Sequence, residues 1–387
     1  MRLPHLLALL LLTACDGSSD PDAGADAGAR DAATSDAAAT DAALADAAVA
    51  DAGDVDAGPP PPPGPWTVYV TVGSENRLAV LDLDEAGVAT ERSADSLALP
   101  SNPGPLAHDP ASRRLYVGLG GGSSGIATVS VAGASPTLEG VTPTPDPVYL
   151  SVAPGQRLVS AFFGQDELRV HDVSGAPAHP QVRMLSTADE PHCAIFGPNG
   201  LLYVPHRNGM TTWWLRLRAD GTLDMAGELA SEPGAGPRHI AFSPDGAFAY
   251  LVNEYSDSVS THAVGADGAL TRLETVDALP GGPSDANSAA DIHVTEDGRF
   301  VYSSNRGEDS IARFAVGADG RLTFLGTTPT EARPREFELT AGGGYLLALG
   351  QDSGSMSVYR IEDDGDLTST SRVALGDGLL WAIAVPR

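Results

Sequence analysis

The stretch Gly236-Pro237-Arg238-His239-Ile240-Ala241-Phe242-Ser243-Pro244-Asp245-Gly246-Ala247-Phe248-Ala249-Tyr250-Leu251-Val252-Asn253-Glu254 reads as two short strands folded around a Pro-Asp-Gly turn. It recurs along the chain. Pro191-His192 leads to Pro198-Asn199-Gly200 and then Leu202-Tyr203-Val204. Asp291-Ile292-His293 leads to Asp297-Gly298 and Val301-Tyr302, and Pro334-Arg335 leads to Gly342-Gly343 and Tyr345-Leu346-Leu347. Weaker copies start at Pro105 and Pro147. Short strands repeating every roughly 40–50 residues specify an all-β chain of the β-propeller kind. In such a repeat, the residues that vary at the hairpin ends are the ones free to carry function.

Working outward from this hairpin, full units span residues 105–143, 147–187, 191–232, 237–280, 289–331 and 334–376, while 67–99 supplies only three strands. The tail Leu380-Trp381-Ala382-Ile383-Ala384-Val385 matches the opening strand that this first unit lacks. The expectation is a seven-bladed β-propeller over residues 66–387, in which the C-terminal strand closes blade one and removes the open sheet edge.

The region before residue 66 differs in kind. After Met1-Arg2-Leu3-Pro4-His5 comes an apolar run over residues 6–12, too short to span a bilayer and typical of a signal peptide. It ends in Leu12-Thr13-Ala14-Cys15, which resembles the bacterial lipobox. Residues 1–15 are therefore expected to be a lipoprotein signal, with Cys15 lipidated and the mature protein held on the cell envelope by its lipid anchor alone. Residues 16–65 hold eleven Asp and one Arg among Ala, Gly and a Pro59 to Pro63 run. With no face to bury, this reads as a disordered, extended linker.

Of the net charge of −28, the linker carries −10 and the signal +1, so the propeller itself carries −19. That excludes the basic face that nucleic acid requires. An anionic ligand would need a local group of arginines. Cys193 is the only other thiol, so no intrachain disulfide is expected in the mature protein; it reads as a small buried strand residue.

Counted back from each hairpin turn, one repeat position holds His192, Arg238, Ala290 and Arg335, and the next holds Cys193, His239, Asp291 and Glu336. Counted forward, the end of the second strand holds Arg207, Glu254, Arg306 and Gln351, preceded by His206, Asn253, Asn305 and Gly350. Antiparallel pairing brings these positions to one mouth of the channel. The equivalents in blades one and two are Gly73 and Gly120, so charge gathers on blades four to seven. A scaffold has no need of it, and buried charges must pair with each other or with a ligand.

The runs at residues 234–254 and 289–306, with Pro329-Thr330-Glu331-Ala332-Arg333-Pro334-Arg335-Glu336-Phe337 and Gly350-Gln351, resemble the seven-bladed lactonase family, most closely the bacterial propeller-type 6-phosphogluconolactonases. The same family includes a fungal cycloisomerase acting on muconate. Its catalytic set of one His, two Arg and a Glu falls, by this resemblance, on His192, Arg238, Glu254 and Arg306. Two departures stand out. Many members carry a second His where this chain has Ala194, and an Asp where it has Asn208-Gly209-Met210.

The residue types suit ester hydrolysis. Arginine stabilises the developing oxyanion, and Glu254 or His192 takes the proton of the attacking water. His239, Asn253, Asn305, Arg335 and Gln351 are the expected substrate contacts. No cofactor is implied, and no ligand spacing demands a metal, although Glu254, Asn253, Asn305 and Asp291 could imitate the metal set of another propeller lactonase class. The leading expectation is a lactone hydrolase of the 6-phosphogluconolactonase type acting on a sugar or related small-molecule lactone. The rival is a non-catalytic envelope propeller that binds a ligand or protein partner.

Overall fold

The computed structural model describes residues 64–387. The signal segment, Cys15 and most of the linker lie outside the described residues. Among the described residues, strands form seven sheets, one per blade, and no helix is long and apolar enough to cross a membrane.

Blade five shows how the repeat is built. Pro237–Phe242, Phe248–Asn253, Ser258–Val264 and Leu270–Asp277 run antiparallel in chain order. Gly246 adopts φ +70°, which an L side chain resists, and its N–H donates to the Ser243 carbonyl at 2.8 Å. The Asp245 carboxylate accepts from the Ala247 N–H at 3.0 Å. The Pro-Asp-Gly signal thus becomes a tight turn because each of its residues meets a specific demand. Two blades depart from regularity. The inner strand of blade four is only Ile195–Phe196, with an isolated bridge between Pro191 and His206. The outer strand of blade one is split into Ala89–Glu91 and Leu97–Ala98.

The C-terminal strand Leu379–Pro386 is the innermost strand of blade one, with Trp66 opposite Pro386 and Val70 opposite Ala382. Ring closure is therefore as expected. Seven apolar clusters fill the gaps between neighbouring blades, one per gap, including the gap between blades seven and one where Trp66, Leu347 and Leu379 meet. A polar contact accompanies four of the gaps. The buried Tyr of the second strand donates to the next blade's outer turn: Tyr203 to the Gly268 carbonyl (2.8 Å), Tyr250 to Gly320 (3.1 Å), Tyr302 to Gly365 (3.0 Å) and Tyr345 to Glu85 (2.8 Å). Each such bond contributes about 1 kcal/mol.

Candidate active site

The inner strands of blades two, five, six and seven shift register near their start, and in two of them the extra residue is an arginine. In blade five the register moves from Pro237 opposite Asn253 to His239 opposite Val252, so Arg238 has no residue across from it. Blade seven repeats this at Arg335, between Pro334 and Glu336. A bulge re-aims the extra side chain, and here it turns two arginines toward the channel mouth.

Arg238 is fully buried, and its guanidinium is held on three sides. Nη2 donates to Glu336 Oε1 at 2.9 Å, Nη1 donates to the Ala290 carbonyl, and Nε lies 3.3 Å from Glu254 Oε2. Glu254 is an anionic hub. Its Oε1 accepts from Arg207 Nη1 at 2.7 Å and lies 3.0 Å from Arg306 Nη2. Burial alone would raise the Glu254 pKa; Arg238, Arg306 and Arg207 overcome that and hold it below the ordinary glutamate value. Three charged donors leave Glu254 little basicity.

A cavity of about 250 Å³ opens at this mouth. Of the residues that the sequence singled out at charged repeat positions, His192, Arg238, Arg335, Glu336 and Gln351 line it. Arg335 makes no hydrogen bond or ion pair with any described residue, unlike Arg238. Burial, with Arg238 and Arg306 nearby, lowers its pKa to about 10, so it stays charged at neutral pH. His192 is 4% exposed, and its Nδ1 has no partner among the described residues. Burial, then Arg238 and His239, push its pKa well down, so the ring is neutral. The Gln351 Oε1 is likewise buried and unpartnered.

The other expected residues lie elsewhere. Glu254 and Arg306 stand outside the cavity lining, Glu254 against the far side of Arg238. Asn253 donates to Ser258 and Ser260, and Asn305 to Ser310 and the Ala278 carbonyl. Asn253 thus serves its own blade and Asn305 ties blade six to the end of blade five, and neither lines any part of the cavity. His239 faces a second, smaller cavity of about 80 Å³, shared with Asp291, His293 and Glu338. Asp291 accepts from or pairs with His239 Nδ1 at 2.8 Å and His293 Nε2 at 3.0 Å. His239, Asp291 and Glu336 offer three possible metal donors within 4.8 Å of one another. The Arg238 guanidinium on Glu336 already supplies a cation there, which opposes a second one. Cys193 is fully buried, and burial pushes its thiol up to about 12, so no thiolate forms at neutral pH.

The mouth also contains residues that the repeat count missed. Asn102 and Asp146 line the cavity from the starts of blades two and three, and Leu380 and Trp381 from the closing strand. The glycines at the ends of the second strands explain the first two. A β-carbon on Gly73 would lie 2.5 Å from Asn102 Oδ1, and one on Gly120 would lie 2.6 Å from Asp146 Oδ2. Those glycines give way to polar side chains arriving from the following blade. The signal was present in the sequence as Asp146-Pro147, two residues before the positions where charge recurs.

The fold and the mouth define a class: a closed seven-bladed propeller with an arginine-walled small-molecule cavity at one end of its channel. Residues 67–381 match the family described as lactonase, 7-bladed β-propeller, and the chain belongs to that family. It is 33% identical over 325 residues to a 6-phosphogluconolactonase of Yersinia pestis (strain Pestoides F), covering 81% of this chain and 96% of that one. A 6-phosphogluconolactonase of Yersinia enterocolitica is 32% identical over 332 residues, covering 83% and 98%. Among solved structures, a periplasmic gluconolactonase of Pseudomonas aeruginosa superposes with a TM-score of 0.75 at 25% identity, over 83% of this chain and 99% of that one.

Proposed function

We propose that this chain hydrolyses a sugar-type lactone in the mouth cavity. The observation that carries the reading is Arg335, a cation with no hydrogen-bond or ion-pair partner among the described residues, facing the same small cavity as Arg238 and His192 in a chain of the lactonase family. The relatives named for 6-phosphogluconolactone and gluconolactone support a sugar ring as the substrate class.

The chemistry follows from the geometry. Water attacks the ring carbonyl, and negative charge develops on its oxygen. Arg238 is pre-oriented by Glu336, Glu254 and the Ala290 carbonyl, so it stabilises that charge without reorganising. Arg335 binds either the same oxygen or the carboxylate formed on ring opening. Neutral His192, with an unpartnered nitrogen, and Gln351 hydrogen-bond to ring hydroxyls. Glu254 acts by holding Arg207, Arg238 and Arg306 in place. No step calls for a metal.

The Leu12-Thr13-Ala14-Cys15 motif supports export and lipid anchoring at the cell envelope, with the linker as a spacer. A substrate outside the cytoplasm is then a free sugar lactone, in keeping with the periplasmic neighbour rather than the phosphorylated case.

The test is the full chain, solubilised in detergent, against a panel of neutral, carboxylated and phosphorylated sugar lactones, with proton release followed with and without chelator. Hydrolysis insensitive to chelator is the expected result. Hydrolysis abolished by chelator would place a metal in the mechanism. Binding of a lactone without turnover would leave a non-catalytic binding module.

A further inference from the structure

We propose that Asp146 is the general base of the hydrolysis, the group that takes the proton from the attacking water; this rests on the hydrolase reading above.

The four acid–base groups at the mouth differ in availability. Glu254 lies outside the cavity lining and is tied to three arginines. Glu336 lines the cavity but is buried, and its carboxyl is already occupied by the Arg238 guanidinium, accepting from Nη2 at 2.9 Å. His192 is depressed well below its ordinary value by burial and by Arg238. Asp146 lines the same cavity, is exposed to solvent, and makes no hydrogen bond or ion pair with any described residue. The desolvation its carboxyl meets in the cavity raises its pKa, which increases its basicity.

Two further features point the same way. Asp146 enters from the connection into blade three, whereas Arg238 and Arg335 come from blades five and seven, so base and cations converge on one cavity from different blades. Space for the carboxylate is built in, because residue 120 is glycine although its φ of −102° would admit any residue. The backbone there does not require glycine; the Asp146 oxygen does.

The proton accounting closes. Asp146 accepts a proton from water as the hydroxyl oxygen bonds to the carbonyl carbon. The carbonyl electron pair moves to the oxygen, facing the arginines. When that pair returns, the ring C–O bond breaks, and the ring oxygen leaves as an alcohol carrying the proton from Asp146. The new carboxylic acid then ionises to solvent.

The experiment compares wild type with Asp146→Asn, Asp146→Ala and Gly120→Ala in the full chain on whichever lactone the wild type turns over. Asp146→Asn is expected to lower kcat by about a hundredfold or more with KM within about threefold, at an unchanged melting temperature. Added formate is expected to restore part of the rate to Asp146→Ala, a response that a merely structural aspartate would not give. Gly120→Ala, which displaces the carboxylate, should lower kcat without rescue by formate. Wild-type kcat in Asp146→Asn, or a loss that tracks the melting temperature and ignores formate, overturns the assignment. A wild type inert toward every lactone removes the hydrolase reading and this inference with it; an active wild type with a fully active Asp146→Asn removes the inference alone.

Discussion

The Glu254 carboxylate of blade five lies 3.0 Å from the Arg306 guanidinium of blade six and 2.7 Å from that of Arg207 in blade four, so a single anion joins three blades at the mouth. Its position, set against Arg238 outside the cavity lining, makes it the support of that arginine.

Glu254→Gln therefore removes the charge around which three guanidiniums are arranged. Breaking a buried ion pair from one side costs about 3–5 kcal/mol, and the melting temperature should fall together with kcat. The sign of the pH effect follows from the lowered pKa. Glu254 stabilises the fold fully above its ordinary unfolded value and loses that contribution as pH falls through the depressed folded one. Acid unfolding of wild type and Glu254→Gln should converge at low pH. A mutant as stable as wild type at pH 7 would show that the hub is dispensable.

Arg335 makes no hydrogen bond or ion pair with any described residue, so its removal should disturb binding and leave folding intact. Arg335→Ala is expected to weaken inhibition by the open-chain product acid about tenfold to a hundredfold, the worth of one charge-assisted hydrogen bond. Its melting temperature should match wild type. Unchanged product inhibition would direct attention back to Arg238.

Cys15→Ser should leave the propeller folded and abolish membrane association, because Cys15 is the lipid attachment site proposed here. The measurement is fractionation of cells after a high-salt wash. Mutant protein that still pellets with membranes would rule the anchor out.

Deleting residues 379–387 removes the inner strand of blade one together with Trp381 of the cavity wall. The strand Trp66–Val72 then keeps Arg77–Leu83 but loses its inner partner, and the apolar cluster around Trp66 opens. A large drop in melting temperature for the whole domain is expected, since an exposed edge also invites aggregation. Truncated protein that melts as wild type would contradict the closure.

The fold was legible in the sequence because its determinants are local and periodic. Each turn carries its own Pro, Asp or Gly, and the strand missing from the first unit reappears at the end. The site was legible only where function rides on the repeat. His192, Arg238, Arg335 and Gln351 sit at recurring positions and do line the cavity. Asn253 and Asn305 occupy an equally regular position, yet their amides are consumed by serines of the adjacent strand, which no spacing rule reveals. Asp146 and Asn102 were hidden for the opposite reason. Gly73 and Gly120 look like empty repeat positions, and only three-dimensional neighbours show what occupies the space they vacate.

The tyrosine contacts bear on how the chain may be cut. Tyr345 of blade seven reaches Glu85 in the N-terminal part of blade one much as Tyr203, Tyr250 and Tyr302 reach the blade that follows theirs. The chain ends meet inside blade one, where Leu379–Pro386 pairs with Trp66–Val72, so a blade built from both ends is held to its neighbour like any other, and the order of blades along the polypeptide is a convention of connectivity. A circularly permuted chain, with 387 joined to 66 through a short linker and new ends opened between blades four and five, keeps every one of these contacts.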